Sequence, residues 1–194
     1  SLDASGACCG HPAGIAHRSM SSDRPHVDVQ IGDTPSNETA ITLAALVNAA
    51  YGYNRISTGG MRHRIRTGRN RVLHIARHDG QIVGCCSSTL HVPWAGPGCG
   101  HWGLLAVLPE AQGLGVASAL VAHAERRLAH AGMSRVQIEY SYDKGEPTSE
   151  RLLAWYEGAL GFKGPSHRNS GFRVCRKVLE PTGEIKYVCI RWIC

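Results

Sequence analysis

The sequence predicts a mixed α/β (α+β) domain organised around one central parallel β-α-β crossover. Three features carry that expectation. Short apolar runs of strand length recur along the chain, Asp79-Gly80 joins two of them as a hairpin, and one long amphipathic helical pattern separates two others. A tight turn can join only antiparallel strands, so a strand, a helix and a second strand imply a right-handed parallel crossover.

The elements follow in order. Residues 1–25 mix Gly, Ser, Pro, Cys and His without periodicity and read as a flexible arm. Val27, Val29 and Ile31 alternate with polar partners, a strand pattern. A helix is expected after Ser36-Asn37, with Ile41, Ala44, Ala45 and Val47 on its apolar face as far as Tyr51. Residues 55–71 are basic and read as a loop or irregular helix. Residues 72–77 and 81–91 form the hairpin, residues 93–100 a Gly/Pro loop, and residues 102–107 a short, fully buried strand ended by Pro109.

The long helix spans residues 112–131, with Ala117, Val121, Ala124 and Leu128 facing inward and Gly132 stopping it. Val136, Ile138 and Tyr140 share one side of the next strand. Residues 149–160 form another helix, capped by Thr148 or Ser149 and followed by Gly161. Residues 172–179 and 185–193 read as strands around a Pro181-Thr182-Gly183 turn. The expected organisation is an arm over 1–25, one domain over 26–180 and an extra C-terminal strand over 181–194.

Composition narrows the function. The 194 residues are 43% hydrophobic and 19% charged, ordinary for a folded soluble domain. No run approaches the roughly 20 apolar residues of a membrane helix, so no membrane partner is expected. Eight cysteines fall below the ~8–10% of a disulfide scaffold and include no Cys-x-x-Cys; reduced thiols and a cytoplasmic location are expected. The first 25 residues lack a secretory apolar core, and organellar targeting stays open. The absent initiator Met reads as a processed chain or an excised part of a longer one. Net charge of +6 suits a polyanionic ligand, whether nucleic acid or a phosphorylated cofactor.

The chemistry concentrates in residues 105–117. A buried strand, Leu105-Ala106-Val107, leads to Gln112-Gly113-Leu114-Gly115-Val116-Ala117 at the head of the long helix. Glycines there let a ligand approach the backbone, and successive N–H groups with the helix's positive end make an anion cradle. A Rossmann unit would need a third glycine where Ser118 stands and a tighter turn after the strand, and Glu139 alone does not supply the rest of that pattern.

The same stretch resembles the Gln/Arg-x-x-Gly-x-Gly/Ala signature of the GNAT N-acetyltransferases, with Ala106-Val107-Leu108-Pro109 similar to their Val-x-Pro lead-in. Trp155-Tyr156 and Gly161-Phe162 resemble the Leu-Tyr…Gly-Phe block, and residues 173–179 a closing strand. The resemblance covers residues 26–179. It departs at Ser149, where many members have Asn, at Leu152, where many have Ala, and by one extra residue between Tyr156 and Gly161.

The resemblance implies a GNAT-like, mostly antiparallel sheet with flanking helices and an N-acetyltransferase using acetyl-CoA and a primary amine acceptor. The cofactor would be held by Gln112, Gly113, Leu114, Gly115, Val116, Ala117 and Ser118 at its diphosphate. Its pantetheine would run along Leu105, Ala106 and Val107, with Ser149 and Tyr156 nearby. Tyr156 falls at the general-acid position. His101 falls where some members place a catalytic Glu; Glu139, Tyr140 and a water chain are rival bases. A non-catalytic acyl-CoA-binding module remains an alternative, as does a nucleic-acid binder using Arg62, Arg64, Arg66, Arg69 and Arg71, although nucleic acid is the disfavoured partner. A homodimer is left open. His74 and His78 lack a third ligand, so no metal site is expected.

Overall fold

The computed structural model describes residues 26–30, 36–66, 70–166 and 169–181, the first of these as backbone. The expected arm, the strand over 185–193 and Arg69 lie outside them. The elements are β1 (His26–Gln30), α1 (Asn37–Tyr51), α2 (Thr58–Ile65), β2 (Arg71–His78), β3 (Gln81–Thr89), β4 (Cys99–Val107), α3 (Val116–His130), β5 (Arg135–Tyr142), α4 (Pro147–Leu153) and β6 (Gly171–Val178). One six-stranded sheet takes them in the order β1-β2-β3-β4-β5-β6. Every neighbouring pair is antiparallel except β4 and β5, the predicted crossover about α3.

Local chemistry sets the boundaries. Ser36 starts α1 by accepting the Thr39 N–H at 3.1 Å, and Gly52 ends it at φ 74°. Its buried face is Ala40, Leu43, Ala44, Leu46 and Val47; Ile41 and Ala45, expected inside, face water. Ser57 caps α2 through the Gly60 N–H at 3.1 Å, which makes the basic stretch a regular helix anchored by Met61 and Ile65.

α3 starts at Val116 rather than Gln112, because Gly113 and Gly115 take positive φ (84° and 81°) that no helix accommodates. Glu146, not Thr148 or Ser149, caps α4: its carboxylate accepts both their N–H groups, at 2.9 and 2.6 Å, and Pro147 needs no partner at the first helical position. The extra residue after Tyr156 is absorbed by a π-helical turn over Ala154–Ala159, with Leu160 N–H bonding Trp155 O at 2.9 Å.

Two cores flank the sheet. α1 and α2 pack on Leu73, Ile75, Cys85 and Ala106. On the other face α3 and the α4 segment enclose Cys86, Trp102, Val136, Ile138, Tyr156 and Phe162. Cys85 and Cys86 thus sit on opposite faces as free, buried thiols.

The sheet opens between β4 and β5. β4 and β5 pair only at Cys99↔Arg135, Gly100↔Val136 and His101↔Gln137 and then part. A bulge against β3 falls at the same place, and Leu104 adopts φ 51°. Ser87 Oγ and Tyr51 Oη donate to the Gly103 and Leu105 carbonyls at 3.1 and 3.3 Å, satisfying backbone that the bulge removes from the ladder. Residues 103–105 and Val107 are half-buried, not fully buried as expected, because β4 borders this gap.

His74 is fully buried between β3 and α3. Its Nε2 and Nδ1 lie 2.7 Å from Ser88 Oγ and 2.9 Å from His123 Nδ1, and Arg127 also donates to Ser88. Burial, then His123 and Arg127, push its pKa down to about 3. The unfolded chain therefore binds a proton below about 6.5 that the folded chain refuses, so stability falls with pH between about 6.5 and 3. Denaturant unfolding should show about 2 kcal/mol lost through this group between about pH 7.5 and 5. His74→Gln should flatten that slope; an unchanged slope would contradict the assignment.

Candidate active site

The gap between β4 and β5 leads to a groove at the head of α3. Val107, Ala111, Gln112, Gly113, Gly115, Val116, Ala117, Ser118 and Trp155 line it, around a volume of about 330 Å³. A Cβ at Gly113 or Gly115 would meet nothing within 4 Å, so the backbone there faces free space. Gly115 caps α3 without a side chain, leaving the first-turn N–H groups directed at the groove's mouth with no side-chain acceptor. The residues present therefore fit a diphosphate held by main-chain amides.

Not every expected contact converges here. The Leu114 side chain is half exposed and outside the lining, whereas Val116 lines the groove with its side chain buried in the core. Ser149 is also outside the lining: its Oγ accepts the Asp143 N–H at 3.1 Å and its own N–H caps on Glu146. Trp155, which the sequence places in the Trp155-Tyr156 block but not among the groove residues, closes one wall.

Tyr156 stands on the α3 side of the gap, packed against Trp102, Tyr140 and Trp155 with ring centroids 6.0, 4.8 and 5.1 Å away. Among the described residues its hydroxyl has no hydrogen-bond partner. Burial, reinforced by Tyr51 and Cys86, raises its pKa, so it stays protonated near neutrality. Its neighbour Glu157 locks the segment: it takes Arg173 Nε at 2.9 Å, Tyr140 Oη at 2.9 Å and Cys175 Sγ at 3.4 Å. Partial burial pushes the Glu157 pKa up, but these hydrogen bonds prevail and hold it below the usual carboxylate range. Tyr140 is thereby committed as a donor to a carboxylate, which removes it from the rival bases.

His101 lies on the opposite face. Its Nδ1 is 2.9 Å from Gln137 O, an acceptor only, so Nδ1 carries the proton and Nε2 keeps the lone pair. Burial lowers its pKa; the Gln137 bond and Glu139 oppose this, while Arg71 and Arg64 add to it. The third candidate, Glu139, is exposed and accepts Gln137 Nε2 at 3.2 Å. The imidazole needs Gly103 beneath it, since a Cβ there would lie 2.8 Å from Nε2. The protonated phenol and the neutral imidazole thus flank the gap from opposite faces, with the anion cradle at its far end.

The model of the acetyltransferase (GNAT) family matches residues 44–162. No curated protein sequence matches the chain. Among solved structures, the ribosomal-protein-S18-alanine N-acetyltransferase from Escherichia coli superposes with TM-score 0.61 at 14% identity, covering 82% of this chain and 97% of that one. PaiA N-acetyltransferase from Thermoplasma acidophilum, in complex with coenzyme A, gives 0.59 at 13%, covering 79% and 99%. The GNAT domain of PAT from S. lividans gives 0.60 at 18%, covering 80% and 90%. These likenesses establish the fold.

Gly103→Ala should force the His101 ring away from Gln137 O. In a histidine NMR titration, the wild-type His101 resonance should have its midpoint below about 6.5 and the variant's should move upward, because relief of burial, the largest influence on this ring, outweighs loss of the Gln137 bond that raises it. Identical midpoints would contradict this packing.

Proposed function

Because the chain belongs to the acetyltransferase (GNAT) family, we propose that it transfers an acetyl group from acetyl-CoA to a primary amine by direct attack in a ternary complex. The carrying observation is the uncapped cradle at Gly113 and Gly115 opening onto the gap between β4 and β5. Acetyl-CoA supplies a thioester, already activated toward amines, and its length suits a run from that cradle along the gap.

Amides of Gly113 to Ala117 hold the diphosphate, with the Gln112 and Ser118 side chains at its rim. The open edge of Leu105, Ala106 and Val107 accepts the pantetheine as an added strand, and its N–H groups polarise the thioester carbonyl. Fixing both reactants in one slot supplies much of the rate, because it removes the entropy of encounter.

Two proton movements are assigned. An alkylammonium has a pKa near 10 and must lose its proton before attack; neutral His101 Nε2 takes it, with Glu139 beside it to stabilise the imidazolium. Tyr156, kept protonated by its buried site, passes a proton to the departing thiolate in exchange for the one the nitrogen sheds on becoming an amide. The two groups act from opposite faces, so neither blocks the other.

Gly115→Glu places a carboxylate in the cradle and should weaken acetyl-CoA binding at least about 100-fold by calorimetry; unchanged affinity would refute the cradle. Tyr156→Phe should lower kcat by about 100-fold or more while cofactor affinity stays within about twofold. An undiminished kcat would remove Tyr156 as the acid.

A further inference from the structure

A lateral row of side chains crosses the sheet on the face that carries α1 and α2. Strand register sets Arg71 opposite Thr89, Thr89 opposite His101, His101 opposite Gln137, and Gln137 opposite Arg176. Residues directly opposite on neighbouring strands project to the same side, so these five share one face. Side chains link the row: Arg71 Nε donates to Thr89 Oγ1 at 3.3 Å, and Arg176 Nε donates to Gln137 Oε1 at 2.7 Å. Two guanidinium groups therefore flank the imidazole, each rooted two strands, or about 10 Å, away.

Arg64, in the last turn of α2, adds a third charge on the β2 side. Both Arg71 and Arg64 act on His101, and Arg71 and Arg55 in turn lower the Arg64 pKa, after burial. Such convergence is self-repelling, and an anionic ligand relieves it. Among the described residues no carboxylate stands within ion-pair distance of Arg71 or Arg176.

The diphosphate of the cofactor is not that anion. The cradle begins beyond Val107, at the other end of β4, and the strand between it and His101 spans about 20 Å. The charge lies instead on the acceptor side, around the residue assigned as base. Guanidinium groups suit the purpose, since their planar donors pair with carboxylate or phosphate oxygens two at a time.

We infer that the acceptor is an amine carrying its own carboxylate or phosphate group, held by Arg71 while its nitrogen sits at His101 Nε2. This inference rests on the acetyl-transfer reading and adds a substrate class to it.

The test compares kcat/KM of the full chain on matched pairs: β-alanine with β-alaninamide, and phosphoethanolamine with ethanolamine. Wild type should prefer the anionic member of at least one pair by about tenfold or more, the effect of one well-placed charged hydrogen-bonded contact. That ratio should fall about tenfold in Arg71→Gln, and Arg71→Lys should restore part of it. Comparing ratios between variants cancels the amines' own basicities, and acetyl-CoA affinity measured in each variant reports that the fold is intact. Equal use of both members by wild type, or a ratio unmoved in Arg71→Gln, would overturn the inference while leaving acetyl transfer standing. Acetyl-CoA binding with turnover on neither member of either pair would overturn the transfer reading and this inference together.

Discussion

After His101 the hydrogen-bond ladder between β4 and β5 stops, and the rest of the site follows from that break. Two parallel strands cannot diverge inside a sheet without leaving main-chain donors and acceptors that need other partners. Here the bulge opposite Cys85–Ser87 and the left-handed Leu104 turn β4 aside, and the Tyr51 and Ser87 hydroxyls take up carbonyls. What remains is a half-buried edge beside a slot. A strand-like ligand completes it at little cost in order, since the protein has already fixed one side of the ladder.

The surroundings stiffen that slot. Arg173 is almost wholly buried and reaches Glu157, so the carboxylate beside Tyr156 is tied to β6, while Tyr140 ties it to β5. A buried ion pair of this kind contributes little net stability, yet removing one partner strands a charge, typically at about 3–5 kcal/mol. Its effect here is to fix where the π-helical turn presents the phenol. On the other face, the Gln137 carbonyl fixes the imidazole tautomer and Gly103 leaves the space for it. Protonation states on the two sides are thus set by different devices: desolvation for Tyr156, desolvation plus a cationic neighbourhood for His101.

Much of this was legible in the sequence because it rests on short-range rules. Asp79-Gly80 forms the hairpin, and Gly132 ends the long helix at positive φ. Gly113 and Gly115 mark the cradle, though their own left-handed conformations delay α3 by four residues from the predicted start. The surplus residue after Tyr156 was visible as a spacing, and its physical form is a π turn. Long-range facts stayed hidden. The inward face of α1 was misread because Leu43 and Leu46 meet the sheet where Ile41 and Ala45 do not. The row from Arg71 to Arg176 joins residues more than a hundred positions apart, through register that no local pattern encodes. Trp155 as a groove wall, and Ser149 as a local cap rather than a groove residue, likewise depend on how α4 meets β5.

The most direct measurement of the central claim is a crystal structure of the chain grown with coenzyme A. The account predicts the diphosphate over the amides of residues 113–117 and the pantetheine lying between β4 and β5 alongside residues 105–107, its sulfur within reach of the Tyr156 hydroxyl. Coenzyme A bound elsewhere, with the slot closed by renewed pairing of β4 and β5, would contradict it.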